Sequence, residues 1–187
     1  MDETIPVATG IEMPFFPMRP RAGAPIKPGQ ARTLLEEIHG GRWIAQRKAN
    51  GHRACLAVVD GKVWIQNRHG AWFKLPVRNT HDFLKLPNRT CFDGEVIDRE
   101  FCPFDCLALR GRTMIFDPAD ERATVAFQLV KFLGHEWRFA DPTPQFIRAG
   151  RRNLPDWEGL VLKETLSSYV MLARPTQQSQ TWVKRRW

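Results

Sequence analysis

Asp60-Gly61 stands between two alternating, β-branched runs, Arg53 to Val59 and Lys62 to Asn67. Both positions of a two-residue hairpin loop need positive φ, which Asp-Gly tolerates. The chain is thereby committed to antiparallel strands. Trp43 to Gln46, Cys91 to Asp98, Phe104 to Leu109, Trp137 to Ala140, Leu160 to Lys163, Tyr169 to Ala173 and Thr181 to Arg185 read as further strands. Two segments have helical spacing. Gln30 to His39 gathers Leu34, Leu35 and Ile38 on one face and stops at Gly40-Gly41. The second is capped by Asp117 and takes Pro118 at its first position, with Asp120 and Glu121 set against the N-terminal dipole. Ala123, Phe127, Val130 and Leu133 form its apolar face, and Gly134 ends it. The expected class is α+β, antiparallel sheets flanked by helices, without βαβ units or internal repeats.

Prolines at 6, 14, 17, 20, 25 and 28 exclude a regular helix or central strand from residues 1–29. This stretch is expected to wrap the surface of a domain formed by residues 30–187, anchored by Phe15, Phe16 and Met18. With 187 residues, 43% of them apolar and 26% charged, the chain can bury a core without staples. No apolar run approaches the ~20 residues of a membrane span. Asp2 and Glu3 argue against the basic start of a secretory leader, so a cytoplasmic or nucleoid-associated protein is expected. Cys55, Cys91, Cys102 and Cys106 are read as buried thiols ahead of disulfides or a zinc site. The net charge of +8 suits a polyanionic partner, although a soluble basic surface gives the same number.

Lys48-Ala49-Asn50-Gly51-His52-Arg53 falls between a short strand and a hairpin. Cations at 47 and 53 favour the neutral amine of Lys48 and can hold phosphate oxygens. A lysine beside a glycine turn is equally an ordinary surface residue, and the order of the remaining segments decides the matter. Gln66-Asn67-Arg68-His69-Gly70 comes next, then Phe92-Asp93-Gly94-Glu95-Val96-Ile97-Asp98 and Pro103-Phe104-Asp105-Cys106-Leu107. Glu158-Gly159-Leu160-Val161-Leu162-Lys163 and Trp182-Val183-Lys184-Arg185-Arg186 complete the series.

In this order the segments resemble the signature motifs of the covalent nucleotidyltransferases, and most closely those of ATP-dependent DNA ligases. The matches span residues 43–187. The resemblance implies an adenylylation domain with the ATP-grasp-like ligase core, in which Lys48 carries AMP. It implies Arg53 and Arg68 on phosphate or ribose, Glu95 on ribose or a cation, and Phe104 stacked on adenine. It further implies Glu158 on a divalent metal (Mg²⁺ or Mn²⁺), and Lys163 and Lys184 on the α-phosphate. Arg186 would support that face, and Gln46 would lie near the base. The expected substrate is nicked double-stranded DNA, in repair or replication, with RNA as the alternative because Asn50 replaces the family's usual aspartate. An RNA ligase, a guanylyltransferase and a non-catalytic binder of adenylate or DNA ends are the competing readings. The family's OB-fold domain has no counterpart after the last motif, so a minimal monomeric core or a partner protein replacing that domain is expected.

Overall fold

The computed structural model describes residues 4–174 and 176–187; Asp2 and Glu3 lie outside them. The chain opens with strands β1 (Ile5–Ala8), β2 (Ile11–Met13) and β3 (Pro20–Ala22), then helix α1 (Ala31–His39). Strands β4 (Trp43–Ala49), β5 (His52–Val59) and β6 (Lys62–Asn67) follow, then a short helix α2 (Thr80–Phe83). Strands β7 (Thr90–Ile97), β8 (Glu100–Leu109) and β9 (Arg112–Thr113) precede helix α3 (Ala119–Phe132) and the short α4 (Pro144–Ala149). Strands β10 (Trp157–Glu164) and β11 (Ser179–Arg186) close the order.

The expected α+β class is what the chain adopts. A five-stranded antiparallel sheet runs β6-β5-β7-β8-β9, and a four-stranded sheet runs β3-β11-β10-β4 with β3 parallel to β11. From Ala54 to Val59 the residues of β5 alternate between two cores, which is why that run is apolar on both faces. Ala54, Leu56 and Val58 pack with Phe83 of α2 and Ala126 of α3. Cys55, Ala57 and Val59 pack toward Phe104 and Trp182, between the two sheets. On the outer face of the four-stranded sheet, Leu160, Leu162 and Val183 meet Leu34 of α1 and Ile147 of α4. The layers are helices, sheet, sheet, helices.

Asp60 and Gly61 have φ of 50° and 71°, as the hairpin requires. Other expectations need correction. The proline-rich start is not merely a wrapping: β1 and β2 form a hairpin, and Ile5, Val7, Ile11, Met13 and Met18 enter the central core. Pro6 and Pro20 are accepted there because a two-stranded ribbon and a sheet edge do not need every N–H. Trp137 to Ala140 and Tyr169 to Ala173 are not strands. Phe139, Tyr169 and Leu172 are buried from irregular backbone, tied by Tyr169 N–H to Ile115 O at 2.7 Å and a bridge between Leu172 and Phe16. In α3 the buried face is Ala119, Arg122, Ala126 and Val130, while Phe127 is exposed. Asp117 does not cap this helix; it pairs with Arg112, and Pro118 occupies the cap position. The short helices α2 and α4 are too brief for their sequences to show a period.

Arg122 explains the rotated face of α3. Its guanidinium is fully buried and reaches Asp105 of β8 at 2.8 Å and the backbone oxygen of Ser167 at 2.9 Å. Asp105 also accepts from the buried Lys163 ammonium at 3.1 Å. Asp93, its register partner on β7, is equally buried and holds Arg53 in a two-pronged pair, while Tyr169 donates to it at 2.7 Å. Removing one member of such a set strands a charge in the interior. Arg122→Ala is expected to lower the free energy of unfolding by about 3–5 kcal/mol, read by urea denaturation. A loss below about 1 kcal/mol would show that the pair does not hold α3.

Candidate active site

The two sheets separate at one end into a cleft of about 250 Å³. All ten residues singled out from the sequence line it: Gln46, Lys48, Arg53, Arg68, Glu95, Phe104, Glu158, Lys163, Lys184 and Arg186. The four-stranded sheet presents Gln46 and Lys48 from β4, Val161 and Lys163 from β10, and Trp182, Lys184 and Arg186 from β11. These follow the two-residue alternation of each strand. The five-stranded sheet supplies Arg53, Glu95 and Phe104, and Arg68 follows the end of β6 at the rim.

Lys48 lies within β4, which is longer than the sequence pattern suggests, and pairs with Gly159 of β10. Its ammonium donates to Glu158 Oε2 at 2.5 Å, and Arg186 reaches the same oxygen at 3.0 Å. Gly159 separates Lys48 and Arg186 across three adjacent strands. A Cβ there would lie 2.0 Å from the carbonyl oxygen of Arg185, and φ is +146°, so only glycine fits. After Asn50 the chain crosses from one sheet to the other. At Gly51 a Cβ would come within 2.7 Å of Val96 O and 2.8 Å of Glu95 Cγ.

Two of these residues are the extra members of β-bulges. The register steps from Asp93↔Asp105 to Gly94↔Pro103, leaving Phe104 unpaired in β8. It steps from Gly159↔Lys48 to Trp157↔Ala49, leaving Glu158 unpaired in β10. A bulge bends its strand and re-aims a side chain. The Phe104 bulge admits Pro103 inside β8, whereas the sequence pattern starts that strand only at Phe104. It also frees the Phe104 carbonyl, which accepts from Gln46 Nε2 at 3.1 Å and Lys163 Nζ at 3.5 Å. The Phe104 ring is 6% exposed, with the Arg53 guanidinium 4.6 Å and the Lys163 ammonium 4.7 Å from its centre.

Charge in the cleft is unevenly compensated. Burial raises the Glu95 carboxyl above its ordinary range, against the pull of Lys48 and Arg53. Burial would raise Glu158 too, but its hydrogen bond to Lys48 and the charges of Lys48 and Arg186 hold it below the usual value. Lys184 is lowered by partial burial and by its neighbours Arg186, Arg19 and Lys48. Lys163 is pushed down to about 8 by burial, only partly offset by Asp105. Arg53 is largely committed to Asp93 and to the Met18 carbonyl at 2.9 Å, so its role is that of a cleft wall. Arg68 stands at the exposed rim with its Nε 3.0 Å from His69 Nε2.

Arg19, Phe139 and Trp182 also line the cleft without a role in the sequence pattern, and Arg47, read there as a cation for phosphate oxygens, lines it too. Asp93, Asp105 and Trp182 lie inside the quoted motifs, so the signal for them is present in the sequence. Arg19 sits in the proline-rich start, where no pattern marks it. Among the described residues no group of three or more His, Cys, Asp or Glu side chains converges as a metal cage. Glu95 and Glu158 fit a different demand, because Mg²⁺ takes one or two carboxylates and completes its shell with phosphate and water. The four cysteines are buried as free thiols.

The depressed Lys163 amine makes stability depend on pH. Between pH about 8 and 10.5 the unfolded chain carries a proton that the folded chain has shed. Stability therefore rises with pH across that window. Relative to Lys163→Met, the wild type is expected to gain unfolding free energy from pH 8 to pH 10, measured by denaturant titration at each pH. A parallel pair of curves would contradict the low pKa.

No protein-family model and no curated protein sequence matches this chain. Solved structures do. A mycobacterial DNA ligase D complexed with ATP and MES superposes with a TM-score of 0.61 at 20% identity, covering 92% of this chain and 60% of the other. The ligase domain of M. tuberculosis LigD gives 0.61 and 20%, with 92% and 59% covered. A chain called Pmar-Lig_PreS3 gives 0.60 and 17%, with 93% and 47% covered. The present chain thus spans 60% or less of these three structures. The architecture is that of the ligase nucleotidyltransferase domain.

Proposed function

We propose that this domain is the adenylylating core of an ATP-dependent polynucleotide ligase, with Lys48 as the nucleophile. The observation that carries this reading is convergence. Residues drawn from six separated segments of the sequence meet in one cleft, and Lys48 stands there against Glu158 with Arg186, Lys184 and Glu95 alongside. A chance series of short motifs has no reason to assemble.

In the first step the neutral Lys48 amine attacks the α-phosphorus of ATP. A P–N bond forms, the bond to the β-phosphate oxygen breaks, and pyrophosphate leaves with the electron pair. Lys48 first gives up its proton, and the Glu158 carboxylate 2.5 Å from its ammonium is the base placed to take it. Glu95 and Glu158 would hold a divalent cation, whose chemistry when bound is to neutralise phosphate oxygens. Lys184 and Arg186 supply fixed positive charge where negative charge builds on the phosphoryl group. Lys163, protonated at pH 7, does the same from the cleft floor. A 5′-phosphate oxygen of the nucleic acid then displaces Lys48 from AMP, and a 3′-hydroxyl displaces AMP to seal the strand.

Nicked DNA is the proposed substrate. RNA remains the second reading on account of Asn50. A cleft that holds adenylate without reacting is a third, and it leaves Lys48 unmodified. After incubation with ATP and Mg²⁺, intact-protein mass spectrometry is expected to show the addition of one AMP. Lys48→Ala should show none while keeping its circular dichroism. An adduct that survives in Lys48→Ala would reject the nucleophile, and a label from GTP but not ATP would reject the ligase. Sealing of nicked DNA over nicked RNA then decides the substrate.

A further inference from the structure

On the other side of the four-stranded sheet lies a second concavity, an open groove of about 680 Å³ between α4, the turn that follows it and the segment around Ile26. Its apolar floor includes Ile147 and Trp187, and its walls carry Lys27, Arg148, Arg151 and Arg152. The four cations are exposed, and among the described residues none of them has a carboxylate partner. Like charges gathered without counter-ions repel one another, and a ligand that neutralises several at once relieves that repulsion. The groove also adjoins the cleft. Arg186 faces the cleft and the next residue, Trp187, faces the groove. Between them Arg47 lies over the rings of Phe146, at 4.7 Å, and Trp157, at 5.9 Å, and it lines the cleft as well.

We infer that this groove is a second nucleic-acid contact, one that grips the phosphate backbone of a duplex beyond the cleft. Backbone rather than bases follows from the aromatic residues. The Trp187 indole donates to the Trp157 carbonyl at 3.1 Å and tilts against Phe146 with ring centres 5.5 Å apart, so it serves as a wall. Recognition of unpaired bases calls for aromatic faces open to stacking. Unpaired guanidinium groups without such faces suit phosphates, which carry affinity without sequence preference. The inference extends the proposed function to a separate surface and does not depend on Lys48 reacting.

The test uses the full chain, without ATP, and an unnicked DNA duplex. Arg148→Gln, Arg151→Gln and Arg152→Gln are combined in one variant. A control, Lys62→Gln with Arg110→Gln and Lys131→Gln, removes equal charge from other exposed positions. The groove variant should bind the duplex at least tenfold more weakly near physiological salt. Its slope of log affinity against log salt should flatten by roughly 0.9 for each phosphate that the variant no longer neutralises. AMP addition to the groove variant, measured separately, should match wild type. An unchanged slope, an equal loss in the control, or equal binding of poly-glutamate would each overturn the inference. Failure of AMP addition in wild type would instead strike the proposed function and leave the duplex result standing.

Discussion

Two carboxylates face one another in the interior of this protein, and the site is built around keeping them neutralised. Asp93 and Asp105 are paired across adjacent strands, and each is fully buried. Isolated buried carboxylates are too costly to remain ionised. Here each has its own partners, at least one of them a cation. Arg53 and the Tyr169 hydroxyl serve Asp93, and Arg122 and Lys163 serve Asp105. These partners arrive from β5, α3, β10 and the loop before β11, so satisfying two side chains ties together both sheets and a helix. The Met18 backbone joins through Tyr169 and Arg53, which draws in the N-terminal segment. The arrangement fixes geometry more than it adds stability, since ion pairs removed from water return little net energy.

Beyond that layer the balance of charge tips. Lys48, Lys184, Arg186 and Arg68 border the open part of the cleft, and among the described residues that line it the carboxylates are Glu95 and Glu158. Fixed surplus positive charge, partly shielded from water, favours an anion over a neutral group. The inner layer holds Lys163 and Arg53 in place, and the outer layer leaves its cations free to exchange partners. The ammonium of Lys48 belongs to the second class, bound to a carboxylate that it shares with Arg186.

Much of this is legible in the residues. The hairpin at Asp60-Gly61, the antiparallel class and the membership of the cleft follow from local turn chemistry and from motif order. What is not legible has a common physical cause. Periodicity reports which face of an element is apolar, so Arg122, inward because Asp105 waits for it, sets the true face of α3 apart from the apolar one. Segments such as Trp137 to Ala140 bury a side chain, Phe139, without joining a ladder, and hydropathy does not distinguish the two. Prolines speak against central strands only. Ribbons and edges remain open to them, and β1 and β3 are of that kind. The likeness to ligase domains at 20% identity rests on the same backbone plan.

The bulges at Phe104 and Glu158 bear on how such a chain tolerates change. Each adds one residue to a strand whose partner has none to match. Deleting either residue would close the gap and yield a straighter, more regular ladder. The same deletion would remove the carboxylate that Lys48 and Arg186 share, or the residue whose carbonyl holds Gln46. Regularity of the sheet and completeness of the cleft are therefore opposed at these two positions, and a length variant could fold more neatly while losing the arrangement that distinguishes this protein from an ordinary pair of sheets.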